Sequence, residues 1–336
     1  MAVSPSNLLR TAPGTPADDF VTDPSVNAFA GAAAIAPATT TDTVEFAFTA
    51  NGPWLVVEAD MPWRAGLDEV REATRRQVPE LTTPGTIPPG RRLLRTAHIL
   101  GTALGMWRLK EKPKGGEISR AGISRRLRIA FGELGPTYIK MGQIISSGEG
   151  IFPGELVTEF RQLRDRVPPE PFAVVRRTIE EDLGAPLEAV FAEFSQTALA
   201  AASIAQVHVA RLHTGEEVVV KVQRPSVRSL VHRDLKAMSW FAPHLIGRIP
   251  IAALANPPAL VELFAETIVE ELDFRLEAQN MLDIGRVLAS SGQRAMVVPR
   301  PHPTLVTPRV LTWSVCRASP GTTPKVCALQ VSTPKP

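Results

Sequence analysis

The spacing of apolar residues changes near the middle of this chain, and that change restricts the folds open to it. Before Gly184 apolar side chains recur at helical spacing, whereas residues 191–223 alternate with a period near two. The alternation predicts three strands, at Phe191–Ala198, Ser203–Leu212 and Glu217–Gln223. The sequence therefore predicts an α+β fold with a small antiparallel sheet between helical segments.

Helical segments flank the predicted sheet on both sides. Pro136 favours the first turn of a helix, and Gly184 with Pro186 favours a helix end. The predicted helices are Arg91–Lys110, Ile118–Phe131, one that begins at Pro136, Leu156–Arg166, Phe172–Leu183, Val227–Phe241 and Pro258–Leu288.

The third predicted strand ends in three valines and a lysine, Val218–Lys221. A lysine fixed on such a strand can neutralise nucleotide phosphates when a loop of small side chains lets backbone amides approach them, and a carboxylate from the next large helix then holds the lysine. Small residues stand between the first two strands, at Ala200, Ala201, Ala202 and Ser203. In isolation a strand-end lysine that extends to solvent is commoner, but the order of elements favours the nucleotide interpretation.

Three strings of residues resemble the UbiB-type (AarF/ADCK) atypical protein-kinase-like family, in the family's order, across about residues 125–290. They are Phe131–Thr137 followed by Lys140-Met141-Gly142-Gln143, the K-x-G-Q motif; the alanine-rich loop followed by Ile204-Ala205-Gln206-Val207-His208; and the E-x-D segment Glu271–Asn280. The resemblance implies a kinase-like N-lobe with a helical N-terminal extension that carries K-x-G-Q.

The resemblance also implies roles for individual residues. Lys221 is expected to face nucleotide phosphates with Glu277 as its helix partner, and the loop Ala200–Ser203 is expected to approach the nucleotide. Family regulatory residues are expected at Lys140, Gln143, Glu271 and Asp273, with the E-x-D pair facing the K-x-G-Q helix across the cleft. The cofactor implied is ATP or ADP with Mg²⁺, and the ligands of the metal are left unassigned.

Spacing adds to the interpretation of the K-x-G-Q segment. Lys140 and Gln143 are three residues apart and share one helix face, and Gly142 is expected to allow close approach to the neighbouring lobe. Without the resemblance, Lys140 and Gln143 are interpreted as solvated helix residues.

Four carboxylates stand close together in the second half of the chain, at Glu266, Glu270, Asp273 and Glu277. The last two share a helix face. One interpretation is a solvated acidic stripe. If the group is buried, repulsion demands a metal or cationic partners, for which Lys140 and Lys221 are the candidates.

The string His232-Arg233-Asp234-Leu235-Lys236 matches the start of the protein-kinase catalytic loop. It follows Lys221 by about a dozen residues and precedes the large helix, whereas a kinase catalytic loop follows both. Ser239 also stands where a metal-binding Asn is needed. We therefore expect this string to form a turn of an ordinary helix.

Composition and the family resemblance together divide the chain into four expected parts. Residues 1–88 are rich in Ala, Pro and Thr and are expected to be mostly disordered, apart from a hairpin at Thr43–Val57. Residues 89–190 form the helical extension, residues 191–312 the kinase-like N-lobe, and residues 313–336 an aberrant tail.

Charge and cysteine content exclude several classes of protein. The net charge is +3 with mixed signs, which does not favour a nucleic-acid partner. The cysteines, Cys316 and Cys327, both lie in the tail, which fits a reducing compartment. No signal peptide or transmembrane helix is expected, so the predicted location is the cytoplasm, with peripheral membrane association allowed.

Residues 284–336 contain no Asp or Glu. Phosphoryl transfer in this superfamily needs C-lobe carboxylates as base and metal ligand, so we expect a C-lobe that is largely missing and a chain that is catalytically inactive. A frameshift near codon 312 accounts for the tail, since the neighbouring frame can turn Trp313 into methionine and continue as Met-Glu-x-x-x-Gly. Resequencing that codon against an intact relative tests this hypothesis.

Two functions of different class follow from the sequence. The first is an atypical kinase or ATPase linked by resemblance to isoprenoid-quinone or lipid metabolism, with adenine nucleotide and lipid or quinone-biosynthesis partners at a membrane surface. The alternative is a non-catalytic module for nucleotide sensing or protein interaction. An unrelated helical scaffold requires the three motifs to coincide by chance.

Overall fold

The computed structural model describes residues 61–85, 90–163, 168–246, 256–291 and 298–315. The expected hairpin at Thr43–Val57 and the tail beyond residue 315 lie outside this part of the chain. Its helices are α1 Leu67–Thr82, α2 Gly90–Lys110, α3 Gly116–Leu134, α4 Pro136–Ser146, α5 Gly154–Phe160, α6 Phe172–Leu183, α7 Leu187–Val190, α8 Val227–Phe241, α9 Pro257–Glu270 and α10 Phe274–Ser290. Its strands are β1 Phe191–Phe194, β2 Ala200–Ala201, β3 Ala205–Leu212, β4 Glu217–Gln223, β5 Pro301–Val306 and β6 Val310–Ser314.

All strands pair in one antiparallel sheet. The order is β1-β3-β4-β6-β5, and β2 adds to β3. The sheet and the helices confirm the predicted α+β class. One sheet face packs on α6 through an apolar cluster that includes Val175, Ile179, Val218, Val220 and Val310. This face explains why alternate residues of β4 are valines.

The structure contains three strands that the periodicity did not predict: β2, which lies in the small-residue segment between the first two predicted strands, and β5 and β6. The sequence of β5 is Pro-His-Pro-Thr-Leu-Val, and proline lacks the N–H that a central strand must donate. In the structure β5 lies at the edge of the sheet, where proline is tolerated. Strand β6 continues across the expected tail boundary at residue 313, since its Trp313 and Ser314 pair with Val219 and Val218 of β4.

The expectation of little order throughout residues 1–88 is wrong for the segment that contains α1. Met61, Trp63 and Leu81 are buried in the largest apolar cluster. Arg64 Nε donates to Gln279 Oε1 at 2.9 Å, and Thr82 accepts at its carbonyl from Ser239 Oγ at 2.6 Å. The N-terminal helix is therefore part of the core, although the composition of the region around it is biased.

The predicted helix Pro258–Leu288 is interrupted. It divides into α9 and α10 at Glu271–Asp273, inside the E-x-D segment. Asp273 adopts an extended backbone and accepts from the Arg275 amide at 3.1 Å, which is the geometry of an N-cap. The Leu272 carbonyl accepts from Gln223 Nε2 and from an Arg228 guanidinium nitrogen, both at 3.0 Å. These bonds satisfy groups that a continuous helix would satisfy internally.

The imidazole of His302 on β5 makes stability depend on pH. Burial lowers the pKa of His302 to about 4, and its Nδ1 accepts from the amides of Thr304 and Leu305 at 3.1 Å. The unfolded chain binds this proton near pH 6.5, so the folded state binds fewer protons between about pH 4 and 6.5. Stability is therefore complete above about pH 6.5 and falls by up to about 3 kcal/mol as the pH drops to 4.

Replacing His302 with asparagine should remove this part of the pH dependence while keeping a side-chain acceptor for the two amides. Urea unfolding at pH 7 and pH 4.5 measures the difference. Burial also lowers the pKa of His208 and of His232, so the variant retains some acid sensitivity. If the variant and the original protein lose the same unfolding free energy between pH 7 and pH 4.5, the assignment of this pH dependence to His302 is contradicted.

Candidate nucleotide site

Lys221 and Glu277 form an ion pair between the sheet and α10. Lys221 Nζ lies 2.8 Å from Glu277 Oε1 and 2.6 Å from Oε2. About a fifth of each side chain is exposed, 18% and 20% respectively. Lys221 Nζ also lies 4.6 Å from the centre of the Phe274 ring. The ammonium group is thus fixed in position and still open to solvent on one side.

Local sequence explains why these two groups meet. In β4 the valines at 218, 220 and 222 are buried, so Lys221 belongs to the opposite sheet face. Asp273 is the N-cap of α10, which places Glu277 in the first turn of that helix. The predicted pairing of Lys221 with Glu277 is therefore found in the structure.

A second lysine joins the K-x-G-Q helix to the E-x-D segment. Lys140 Nζ on α4 lies 2.7 Å from Glu271 Oε1, with about a quarter of each side chain exposed. The expected contact between the two motifs is therefore formed by one residue of each, Lys140 and Glu271. Gln143 is half-buried on the same helix, and no hydrogen bond of its side-chain amide is found within the described ranges.

Asp273 does not contact Lys140. It binds Arg275 instead, with Nε 3.0 Å from Oδ1 and a terminal guanidinium nitrogen 2.7 Å from Oδ2. These hydrogen bonds raise the pKa of Arg275. Of the four carboxylates of the expected stripe, Asp273 and Glu277 each have a separate cationic partner, whereas Glu266 is exposed and Glu270 is half-buried.

Gly142 permits close packing, but against a different partner from the one expected. A Cβ at this position would overlap the Leu163 side chain and lie 3.4 Å from ring atoms of Phe131 and Phe160. All three belong to the helical extension that contains α4, and not to a neighbouring lobe. The absence of a side chain at Gly142 therefore allows the K-x-G-Q helix to pack closely against α3 and the end of α5.

Replacing Gly142 with alanine should destabilise the fold by about 1–2 kcal/mol, because overpacking a filled site costs about 1–3 kcal/mol and the gain in helix propensity of about 0.5–1 kcal/mol offsets only part of that cost. Gly132 in α3 is the matched control, since a Cβ there meets nothing within 4 Å. Gly132→Ala should stabilise by about 0.5–1 kcal/mol through helix propensity. Urea unfolding of both variants tests the difference in sign; two stabilised variants would contradict the packing.

The alanine-rich segment is more regular than a loop. Ala200 and Ala201 pair with Val207 and Gln206 as β2. The amides of Leu199 and Ala202 donate to the carbonyls of Val207 and Ala205, at 2.7 and 2.8 Å. Ser203 is buried. Two amides near the expected phosphate loop are therefore already engaged with the sheet.

Arg224 holds this segment in place, a role that the sequence did not reveal. Its guanidinium donates to the Ala202 carbonyl at 3.2 Å, to Glu170 Oε1 at 2.9 Å and to the Pro168 carbonyl at 2.9 Å. The side chain is 7% exposed. The available signal was an arginine that directly follows a buried strand, where a guanidinium is rarely placed without partners.

The kinase-like string His232–Lys236 lies within α8, as expected. Asp234 is fully buried and binds Arg92 of α2, which also donates to the Leu134 carbonyl at 2.6 Å. The carboxylate therefore joins helices of the extension to α8 and takes no part in the candidate site.

Two further findings concern metals and membranes. Within the described ranges, no group of three or more His, Cys, Asp or Glu side chains is arranged to hold a metal ion. None of the helices in those ranges combines the length and apolar character that a bilayer crossing needs.

Part of this chain is similar to a known protein family. Residues 162–326 match the model of the ABC1 atypical kinase-like domain. The chain is 43% identical over 191 residues to the uncharacterized protein Rv0647c of Mycobacterium tuberculosis, which covers 56% of this chain and 39% of that protein. It is 39% identical over 234 residues to a probable protein kinase UbiB of Pseudomonas paraeruginosa, covering 69% of this chain and 39% of the relative.

A solved structure is also similar in sequence. It is the complex of Rv3197 with erythromycin from Mycobacterium tuberculosis, 32% identical over 45% of this chain and 37% of that chain, with a TM-score of 0.36. The chain thus spans about two fifths of the length of the curated relatives that it matches.

Proposed function

We propose that the sheet and α10 bind the phosphates of an adenine nucleotide, ATP or ADP, together with Mg²⁺. The match of residues 162–326 to the ABC1 atypical kinase-like domain supports this proposal. The observation that carries the proposal is the Lys221–Glu277 ion pair, with both carboxylate oxygens within 2.8 Å of the ammonium nitrogen. A positive charge held in this way contributes to phosphate binding without having to be ordered first.

The half-exposed sheet face around Lys221 supports the same proposal. Val207 and Val219 are half-buried on that face, and the half-buried Trp313 of β6 continues it, whereas Leu311 beside Lys221 is fully buried. Apolar side chains beside a fixed cation suit a ligand with a flat base and an anionic tail. Lys221 would contact phosphate oxygens, and Glu277 would keep the lysine extended.

The alanine-rich segment has a narrower role in this proposal. Since the Leu199 and Ala202 amides already donate to β3, the small side chains of Ala200 and Ala201 contribute mainly by leaving room for the ligand. The Lys140–Glu271 pair would tie the K-x-G-Q helix to the E-x-D segment beside the nucleotide. The link to isoprenoid-quinone or lipid metabolism, with partners at a membrane surface, belongs to this proposal as well.

A nucleotide titration tests the proposal directly. We expect Mg·ADP or Mg·ATP to raise the melting temperature of the full chain saturably, because a ligand that binds only the folded state stabilises it by mass action. Inorganic phosphate with Mg²⁺ at the same concentration is the control for anion binding alone. No shift with either nucleotide at millimolar concentration would overturn the proposal.

A further inference from the structure

A cavity of about 140 Å³ lies among the helices on the side of the molecule that contains α4. Its walls come from six helices, and each contributes a large apolar side chain. Examples are Leu100 of α2, Phe131 of α3, Met141 of α4, Phe160 of α5, Met238 of α8 and Val261 of α9. The candidate nucleotide site lies at the sheet, and none of its proposed residues lines this cavity.

The chemistry of the walls favours an apolar occupant. Among the described lining residues, only Thr96 and Tyr138 carry a side-chain oxygen or nitrogen. Their hydroxyl groups lie 3.1 Å apart and bond to one another. Burial raises the pKa of Tyr138, so its hydroxyl stays neutral. Because these hydroxyls already share a hydrogen bond, a polar ligand would recover few of its bonds to water, and burial of unpaired polar groups is costly.

The size of the cavity defines the ligand more closely. An apolar protein cavity of about 150 Å³ lined by leucine, isoleucine and phenylalanine stays dry and binds benzene. We propose that this cavity is a binding site for an uncharged hydrocarbon group of about the size of one aromatic ring. Leu104, Phe152 and Leu245 on its rim are half-buried, so a group can enter from solvent.

The open rim allows two sources for such a group: a free small molecule, or the end of a longer hydrocarbon chain whose remainder stays outside the cavity. Both present the same chemistry to the walls. The site is independent of nucleotide binding, and neither proposal depends on the other.

Binding can be measured on the full chain with toluene as the probe. We expect toluene to raise the melting temperature saturably and to show magnetisation transfer from protein in ligand-observed NMR. Geraniol is the second probe: competition with toluene assigns the site to a chain end, and toluene binding without competition assigns it to a free small molecule.

Two alanine-to-leucine variants test the location. Ala242 is buried and lines the cavity, so Ala242→Leu fills it and should abolish the toluene shift. Ala259 is exposed on α9 and does not line the cavity, so Ala259→Leu should keep the shift. If the Ala242 variant loses cooperative unfolding, Leu104→Phe on the rim blocks the same space. An undiminished shift in the filled variants, or no toluene binding by the unmodified chain, overturns the proposal.

Discussion

Replacing Asp234 with alanine should destabilise the protein by about 3–5 kcal/mol, because it leaves the guanidinium of Arg92 in the interior without its anion. Asp234 is 0% exposed and Arg92 is 14% exposed. The pair joins α2 to α8, and Arg92 also donates to the end of α3 through the Leu134 carbonyl. Loss of the carboxylate therefore affects three helices, and urea unfolding monitored by circular dichroism measures the effect.

The exposed pair between Asp68 and Arg71 supplies a matched control. These charges lie 3.5 Å apart, and the Asp68 side chain is 97% exposed. Asp68→Ala should change the unfolding free energy by less than about 1 kcal/mol. Replacing both buried partners, with Arg92→Met and Asp234→Leu, should recover much of the loss. Equal effects of Asp68→Ala and Asp234→Ala would contradict the structural role of Asp234.

Replacing Lys221 with methionine should weaken nucleotide binding by about 10- to 100-fold, since a hydrogen bond to a charged group contributes about 1.5–3 kcal/mol. Methionine keeps the length and the apolar stem of the side chain while it removes the ammonium group. Isothermal titration with Mg·ADP measures the affinity, and the melting temperature without nucleotide establishes that the variant is folded.

Lys236→Met is the control for loss of a positive charge. Lys236 is exposed on α8 and takes no part in the candidate site, so the affinity should stay within about twofold of the original protein. Glu277→Gln should also weaken binding, because Lys221 then loses the charge that orients it. Similar affinities of the Lys221 and Lys236 variants would show that Lys221 does not face the phosphates.

Periodicity predicted those helices and strands whose apolar side chains recur at a regular spacing along one face. The boundaries of α6, α8 and β4 agree with the prediction because each element has an unbroken apolar face and a clear stop signal. The Lys221–Glu277 and Lys140–Glu271 contacts were also predictable, since the family motifs named all four residues. Spacing alone allowed Lys140 to be a solvated helix residue, and the family resemblance predicted its contact with the E-x-D segment.

The remaining features depend on contacts between distant segments. The break before Asp273 requires side chains from β4 and α8 to bind the Leu272 carbonyl, which local pattern does not encode. Strand β5 forms despite its prolines because it lies at an edge. The burial of α1 depends on its contacts with α8 and α9, and the close packing at Gly142 depends on Leu163. Each of these four features therefore depends on tertiary packing, which the local sequence pattern does not predict.

The most direct test of the central claim is chemical labelling of Lys221 by an acyl phosphate of ADP. A lysine beside the phosphates attacks the acyl carbonyl, forms an amide and releases the nucleotide. Mass spectrometry then identifies which lysine carries the acyl group. We predict that Lys221 is acylated and that excess Mg·ADP suppresses the reaction. Labelling of other lysines with Lys221 unmodified, or labelling of Lys221 that Mg·ADP does not suppress, would contradict the assignment of this lysine to the nucleotide.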